Sequence, residues 1–234
     1  MTKSHLKRLS APNTWKIDRK KRTFIIRPEP GSHKMNLSIS LKSVLIQTGK
    51  AVTLREVTYM LHNHQILVDS RKRSSPAFPV GLFDIVSMPE INEAYTIVVN
   101  TLGKLTIKKL NNPKSDVKLI KIKSKRKIKG NKIQIETICG RNVLADEKEA
   151  KNYKTGDSLM IKLPEQKILD HKKFEKGATV YLTAGSHVGL ISKVKSIDGN
   201  VLICSNGKQE IETKTKFAFV IVDEVEKLLK TEDK

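Results

Sequence analysis

The pattern of apolar and polar positions predicts mostly β-structure in the second half of the chain. Apolar residues alternate with polar ones, or run at strand length, in the segments YTIVVN, GKLTIKKL, KLIKIKSKR, NKIQIETI and SLMIKL. A period of two is typical of strands that bury one face, and the intervening segments NNP, KGN and KTGD are typical of turns. Residues 91–170 are therefore predicted to form a central all-β domain.

A second group of short β-runs follows in residues 171–222. About five runs are separated by DGN and SNGK, which are common hairpin turns. Within this stretch, Gly185 and Gly189 bracket a short polar tip that contains His187. Roughly 50 residues of short strands fit a small β-barrel. The last residues, 223–234, are mixed in charge and are predicted to form a C-terminal tail, either a short amphipathic helix or a frayed end.

The spacing of apolar residues lengthens to about 3.6 in a region that precedes these strands. Apolar side chains recur at helical spacing over residues 39–48, and the run stops at Gly49. Thr53 followed by Glu56 forms a capping box, in which the two side chains satisfy backbone N–H groups of the first helical turn. Two short helices are therefore predicted.

Two short β-runs follow the predicted helices. They cover residues 66–68 and 82–86, with a basic turn at residues 69–73 between them. Residues 37–90 are therefore predicted to form a small αα-plus-sheet module. The basic turn is a candidate contact point for an anionic partner, and an ordinary hairpin tip is the alternative interpretation.

The N-terminal segment, residues 1–36, differs in composition from the rest. It carries ten Lys or Arg residues against two acids, and three prolines interrupt any long helix. Its apolar residues Trp15, Phe24, Ile25 and Ile26 give it anchors that a purely solvated tail lacks. We predict an extended basic arm that folds against RNA, with charges for phosphates and rings for stacking or docking. A disordered, solvated tail is the alternative.

The net charge indicates an anionic partner. The 234 residues include 45 Lys and Arg against 24 Asp and Glu, a formal net charge of +21, and 38% of them are hydrophobic. Solubility alone asks for a charge of only about 2 to 8 in magnitude. Nucleic acid and an anionic membrane both suit such a chain, but no apolar run approaches the roughly 18 residues that a spanning helix needs. The predicted partner is therefore nucleic acid rather than a membrane.

Few residues of the sequence suggest catalysis or metal binding. The two cysteines, Cys139 and Cys204, form no CxxC pair, and no apolar signal segment opens the chain, which predicts a reducing, intracellular setting. The six histidines are scattered without the close spacing of zinc ligands. GxSxG, P-loop and HExxH motifs are absent from the sequence. We therefore expect no enzymatic activity, no cofactor, no metal and no small-molecule substrate.

One predicted strand is unusually basic. Seven of the twelve residues 118–129 are Lys or Arg, interleaved with Leu119, Ile120, Ile122 and Ile128. A period of two places the apolar residues largely on one face and the basic residues on the other. This predicts a lysine ridge that binds phosphates. Protection of an edge strand against aggregation is the alternative, because lysine serves that purpose as well.

Several segments resemble known families. GATVYLTAGSHVGLISKVKSIDGN resembles the KOW motif, with Gly189 as its characteristic glycine. HLKRLSAPNTW and RPEPGSHK resemble the N-terminal arm of the archaeal and eukaryotic e-type family of small-subunit ribosomal protein four. ILVDSRKRSSPAFPVGLFDIVSM resembles the RNA-binding module of that family. The resemblance covers nearly the whole chain in order.

This resemblance implies a structural protein of the small ribosomal subunit. It implies an α+β multidomain fold made of the basic arm, the small module, the central β domain and a KOW-type barrel. It also implies a cytoplasmic location, with small-subunit ribosomal RNA and neighbouring ribosomal proteins as partners. The chain lacks the C-terminal extension typical of eukaryotic members, which points to an archaeal source. The alternatives are a KOW-containing transcription elongation factor and an accessory of an RNA-modifying enzyme.

The residues expected to contact RNA are mainly basic and fall into four groups. They are Lys7, Arg8, Trp15, Arg19, Lys20, Lys21 and Arg22 in the arm; Arg55, Arg71, Lys72 and Arg73 in the module; Lys121, Lys123, Lys125, Arg126, Lys127 and Lys129 on the central strand; and His187 at the tip of the barrel. Shape and backbone recognition should dominate over base recognition, because only 5% of the residues are aromatic.

Overall fold

The computed structural model describes residues 5–110, 116–130, 132–207 and 209–222. The chain divides into two compact units: Met1–Val98 with Lys104–Asp116, and Val99–Gly103 with Val117–Lys234. The tail predicted at residues 223–234 lies outside the described residues. Within the described residues, the chain is mostly β with few helices and several separate sheets, as the pattern of apolar positions predicted.

In its described residues, the first unit combines two α-helices with three sheets. Its elements are β1 (Leu6–Lys7), β2 (Phe24–Ile25), β3 (Ser38–Ser40), α1 (Leu41–Gln47), α2 (Leu54–Asn63), β4 (Leu67–Val68), β5 (Arg71–Lys72), β6 (Pro79–Gly81), β7 (Ile85–Met88), β8 (Glu93–Val99) and β9 (Leu105–Lys109). β1 pairs with β2, β3 pairs with β6, and the main sheet has the order β5-β4-β7-β8-β9.

Both predicted helices are present, and a capping box opens the second. The Thr53 hydroxyl accepts a hydrogen bond from the Glu56 N–H at 3.2 Å. The Glu56 carboxylate in turn accepts one from the Val52 N–H at 2.8 Å. These bonds satisfy donors that a helix start otherwise leaves free. The apolar face that α2 buries consists of Val57 and Leu61.

The structure corrects the predicted position of two strands. The sequence pattern assigned β8 and β9 to the central β domain, but both belong to the main sheet of the first unit. β8 is antiparallel to β7, with Met88 opposite Glu93 and Ile85 opposite Thr96. A short connection of four residues, 89–92, returns the chain directly onto its neighbour. An alternating pattern predicts a strand but not its partner, because the period is local.

The basic turn predicted at residues 69–73 is shorter in the structure. Asp69 and Ser70 form the two-residue connection between β4 and β5, with φ values of 52° and 61°. Positive φ at both central residues matches the twist of a tight hairpin. Arg71 and Lys72 therefore lie in β5, at the edge of the sheet, and not in the turn.

The second unit contains two five-stranded antiparallel sheets. Its elements are β10 (Val117–Ile128), β11 (Lys132–Thr137), β12 (Asn142–Asp146), α3 (Glu147–Ala150), β13 (Ser158–Lys162), β14 (Lys167–Lys172), β15 (Thr179–Leu182), β16 (Ile191–Asp198), β17 (Val201–Asn206), β18 (Gln209–Lys214) and β19 (Ala218–Val220). The sheets have the orders β12-β11-β10-β13-β14 and β18-β17-β16-β15-β19. Each buries its own apolar cluster, around Ile122 and Ile135 in the first and around Val194 and Cys204 in the second.

Candidate nucleic-acid interface

The prediction of a lysine ridge on β10 is wrong for Lys121. The side chain of Lys121 is buried, with 5% of the residue exposed. Its ammonium donates hydrogen bonds to the carbonyl oxygens of Thr215 and Lys216, both at 3.2 Å, and of Ala218. Burial lowers the pKa of Lys121 to about 8. This lysine therefore supports the turn before β19 and is not available to a phosphate.

A β-bulge changes which face the later lysines occupy. The register between β10 and β11 shifts between Ile122 and Ser124, so Lys123 has no opposite residue. Beyond the bulge, Lys125 lies opposite Ile135, and residues opposite each other in a sheet share a face. The Lys125 ammonium reaches the carbonyls of Ala150, at 3.0 Å, and Tyr153. Strict alternation therefore fails at this strand.

Two further lysines of β10 form ion pairs with acidic residues. The Lys123 ammonium lies 2.5 Å from a carboxylate oxygen of Glu136, and the Lys127 ammonium lies 2.7 Å from one of Glu147. Hydrogen bonds from Lys123 and then Ser124 hold the pKa of Glu136 below its ordinary value. Lys125, Arg126, Lys127 and Lys129 are all exposed, but the β10 surface is less basic than its sequence suggests.

The N-terminal arm is folded back on itself and is not extended. β1 and β2 pair, with Leu6 opposite Ile25. The guanidinium of Arg19 donates to the carbonyls of Leu9, Ala11 and Pro12 at 3.0 to 3.1 Å. The five N–H donors of an arginine suit such a cluster of acceptors. Arg19 therefore closes the loop of the arm.

We expect Arg19→Lys to loosen the arm without unfolding the rest of the chain. A lysine offers a single ammonium in place of the planar fork, so several carbonyls lose their donor, at a cost of about 1–2 kcal/mol. Limited proteolysis should show faster cleavage within residues 5–25 while the far-UV circular dichroism stays unchanged. Lys20→Gln, at the exposed neighbouring position, is the control and should leave the cleavage rate as it is.

Trp15 anchors the arm from inside. Only 3% of the residue is exposed, and its indole N–H donates to the Met35 carbonyl at 3.3 Å. Its backbone forms an isolated bridge with Leu105, so the arm touches the edge of the main sheet. Of the two roles expected for this ring, docking fits its position and stacking on RNA does not.

The end of the arm is held by a buried histidine. A ring nitrogen of His33 lies 3.0 Å from a carboxylate oxygen of Asp84, and both side chains are almost fully buried. Gly81 makes room for this ring, because a Cβ there would lie 2.2 Å from it. A polar side chain at such depth is stable only when it is hydrogen-bonded. No local pattern predicts this pair, because its members are 51 residues apart.

The remaining predicted cations of the arm are largely at the surface. Lys7, Lys20, Lys21 and Arg22 are exposed, and Lys21 pairs with Asp18 at 2.7 Å. Arg8 is half-buried, and one of its terminal nitrogens donates to the Asp18 carbonyl at 2.8 Å.

A cleft of about 930 Å³ opens beside the arm and is lined by the arm, α1 and the start of α2. Its basic lining residues include Arg8, Lys16, Arg22 and Lys42. Burial, followed by the positive charges of Arg22 and Arg8, lowers the pKa of Lys42. The structure thus brings together cations that are far apart in sequence.

The edge of the main sheet presents a second basic surface. Arg71 and Lys72 on β5 are exposed, as is Arg55 on α2. Arg73 is partly buried, with its guanidinium 4.3 Å from the centre of the Phe78 ring. Its position over an aromatic face is typical of a cation–π contact. Arg73 therefore contributes to packing, and the exposed Arg71 and Lys72 are better placed to meet a partner.

The tip that follows β15 carries His187, which is exposed. Gly189, at the base of this tip, has φ of 80° and donates its N–H to the Leu182 carbonyl at 2.7 Å. A Cβ at Gly189 would lie 2.5 Å from the carbonyl carbon of Asn100. Glycine is therefore required here both by the turn and by close approach of the backbone.

Comparison with known proteins shows which family shares these features. Residues 2–36 match a family model described as the RS4NT (NUC023) domain, and residues 91–168 match the one described as Ribosomal family S4e. Small ribosomal subunit protein eS4 of Methanocaldococcus jannaschii is 39% identical over 234 residues, covering 95% of this chain and 95% of the relative. The chain belongs to the ribosomal S4e family.

Other S4e proteins agree with this assignment. Small ribosomal subunit protein eS4 of Methanococcus vannielii is 41% identical over 206 residues, covering 86% of this chain and 84% of the relative. The crystal structure of 30S ribosomal protein S4e from Thermoplasma acidophilum matches with a TM-score of 0.66 and 28% identity. That match covers 79% of this chain and 94% of the other. The resemblance to the e-type ribosomal family inferred from the sequence is confirmed.

S4e family membership also decides between the functional classes considered above. Proteins of this family are structural constituents of the small ribosomal subunit in the cytoplasmic ribosome, and they are not enzymes. The expectation of a non-enzymatic ribosomal protein is therefore confirmed. The relatives named above are archaeal, in agreement with the predicted source. The elongation factor and the enzyme accessory are not supported.

Reactive chemistry is sparse in the described part of this S4e chain. It contains no group of three or more His, Cys, Asp or Glu side chains placed to hold a metal ion. Cys139 and Cys204 are buried free thiols, and burial raises the pKa of Cys204. No helix of the described residues is long and apolar enough to cross a membrane.

Sequence reasoning missed several residues of the cleft in this S4e chain. Lys42 lies in α1, and only the apolar residues of this segment entered the prediction of the helix. Phe24 was taken as an apolar anchor, yet 53% of it is exposed, and its ring meets that of His5 edge-on at 5.6 Å. The ten basic residues of the arm indicated an anion-binding region, but nothing in the sequence indicated that residues of α1 line the same cleft.

Proposed function

We propose that the chain binds small-subunit ribosomal RNA through exposed cations on three surfaces, and that it also meets neighbouring ribosomal proteins. The first surface is the arm, with Lys7, Lys20, Lys21 and Arg22. The second is the sheet edge with Arg71 and Lys72, together with Arg55. The third is the exposed end of β10 with the turn that follows it, where Arg126 and Lys129 lie.

The observation that carries this proposal is the spread of uncompensated positive charge over separate elements. The formal charge of +21 belongs to the whole chain, and the arm, β5 and β10 each carry an excess of Lys and Arg over Asp and Glu. A polyanion that touches all of them gains by releasing its condensed counterions. The buried Lys121 and Trp15 and the partly buried Arg19 are not part of the proposed contact set. They support the fold that displays the contacts.

We further propose that residues 171–222 form a KOW-type barrel whose tip carries His187 toward RNA or a neighbouring protein. The five antiparallel strands β15 to β19 and the positive φ of Gly189 support this proposal. The remaining parts are then the arm at residues 1–36, the module that begins at residue 37, and the central β domain.

Salt titration of binding tests the proposed function. Log affinity for small-subunit ribosomal RNA should fall linearly with log salt, and Arg71→Gln with Lys72→Gln should reduce the slope by about 1.5. Lys148→Gln is the control, because Lys148 is exposed but flanked by Glu147 and Glu149, which makes a phosphate contact unfavourable. The control should leave the slope unchanged. Binding that is absent at low salt, or indifferent to salt, would refute the proposal.

A further inference from the structure

The cleft beside the arm has both charged and apolar walls. Its apolar lining includes Ile17 and Ile25 from the arm and Ile46 from α1. With about 930 Å³ of space, it is large enough for a nucleotide, within the range of ordinary ligand pockets of about 300–1,000 Å³.

Three basic side chains of the cleft have no acidic partner among the described residues. Among the described residues, no hydrogen bond or ion pair is formed by the side chains of Lys16, Arg22 and Lys42. The Nε of Arg8 is buried and also has no acceptor. The one carboxylate in the lining, that of Asp18, already pairs with Lys21. Several like charges around one cleft repel one another, and a bound anion relieves this repulsion, so the lining favours an anionic ligand.

An exposed ring lies in the same cleft. Phe24 is 53% exposed, although it is a large apolar residue, and it touches the ring of His5. Both residues line the cleft. A phosphate alone would satisfy the cations but would leave this ring in water. A nucleotide brings a phosphate and a flat aromatic face on one molecule.

Duplex RNA does not offer this combination. Its bases are stacked inside the helix, so it presents mainly phosphates and 2′-hydroxyls to a protein, whereas an unpaired nucleotide can turn its base outward onto an aromatic side chain. We propose that the cleft binds one unpaired nucleotide of RNA, with the phosphate held by Arg8, Arg22 and Lys42 and the base against Phe24. This inference rests on the proposed function and specifies the part of the RNA that the arm recognises.

The test compares two RNAs that differ by one nucleotide. The full-length protein is titrated with a perfectly paired hairpin and with the same hairpin carrying a single bulged 2-aminopurine. We expect the bulged hairpin to bind roughly 10-fold more tightly, because stacking of one base is the added contact. We also expect the fluorescence of the 2-aminopurine to fall on binding.

Phe24→Ala should abolish this preference and leave affinity for the paired hairpin unchanged. Phe24→Leu keeps an apolar side chain on β2 and should lose the preference as well, which separates stacking from folding. Tyr59→Ala is the matched control, because Tyr59 is an exposed ring on α2 that does not line the cleft. Arg22→Gln with Lys42→Gln should lower the salt slope for the bulged hairpin by about 1.4.

The outcomes separate this inference from the proposed function. Equal binding of both hairpins, or an equal effect of Phe24→Ala on both, would overturn the nucleotide cleft while RNA binding stands. Failure to bind either hairpin or ribosomal RNA would overturn both. Millimolar adenosine monophosphate should compete with the bulged hairpin and not with the paired one. Tighter binding of the free nucleotide than of the bulged hairpin would assign the cleft to a free nucleotide and overturn the inference.

Discussion

Gly189→Ala should lower the free energy of unfolding of the second unit by about 4 kcal/mol. Two costs add at this position. The backbone has φ of 80°, where a residue with a Cβ is strained by about 1–2 kcal/mol. The new Cβ would also lie 2.5 to 2.6 Å from backbone atoms of Asn100 and Thr101, which cannot rotate away as a side chain can. Urea denaturation of the purified variant measures the loss.

A second glycine separates these two costs. Gly199 has φ of 57°, and a Cβ there would meet nothing within 4 Å. Gly199→Ala therefore carries the cost of the backbone conformation alone, about 1–2 kcal/mol. The difference between the two variants measures the close approach of Gly189 to Asn100. Equal losses in both variants would show that this approach adds nothing to stability.

The role of Gly189 was partly visible in the sequence. The tip between two alternating runs predicted a tight turn, and a glycine there predicted either a sharp bend or a close approach. The structure shows both, and the approaching backbone is that of residues 100–101. Almost 90 positions separate the two segments, so no local pattern in the sequence identifies this neighbour.

Local signals in the sequence were reliable where the physics is local. The capping box of Thr53 and Glu56 involves atoms within one helical turn, and it is formed as predicted. The assignment of β8 to a sheet failed, because alternation predicts a strand but leaves its partner open. The same limit applies to Arg19, whose carbonyl acceptors lie seven or more residues away.

The lysine ridge failed for a different reason. The prediction from the alternating pattern assumed that successive side chains of β10 point to opposite faces of the sheet, but the bulge at Lys123 interrupts this alternation. It also assumed that the face opposite the apolar cluster meets water. At Lys121 that face meets the carbonyls of residues 215–218 instead. Composition indicated a basic protein correctly but could not tell which lysines serve the fold.

Lys121→Met should lower the free energy of unfolding by about 3 kcal/mol. Methionine fills a similar volume but has no N–H, so the carbonyls of Thr215, Lys216 and Ala218 would lose their shared donor in a buried site. Lys123→Met is the control on the same strand. Its exposed pair with Glu136 contributes less than about 1 kcal/mol. Equal losses in the two variants would show that the buried hydrogen bonds do not matter.

The pH dependence of stability gives Lys121 a second signature. Its pKa is about 8 in the folded chain and near 10.5 when unfolded, so between these values the unfolded state binds more protons. Stability from this group therefore rises with pH, by about 2 kcal/mol between pH 8 and 10.

Burial raises the pKa of Tyr181, and burial with a hydrogen bond to Glu93 raises that of Tyr95 to about 12. Both tyrosines therefore lower stability only above about pH 10.

Denaturation of the wild type and of Lys121→Met at pH 8, 9 and 10 isolates this contribution. The rise should be present in the wild type and in Lys123→Met, and it should be missing in Lys121→Met. An equal rise in all three proteins would assign it to other groups. A fall in the wild type over this range would mean that the three carbonyls hold the ammonium charged more strongly than burial destabilises it. Lys121 would then act as a permanent cation inside the fold.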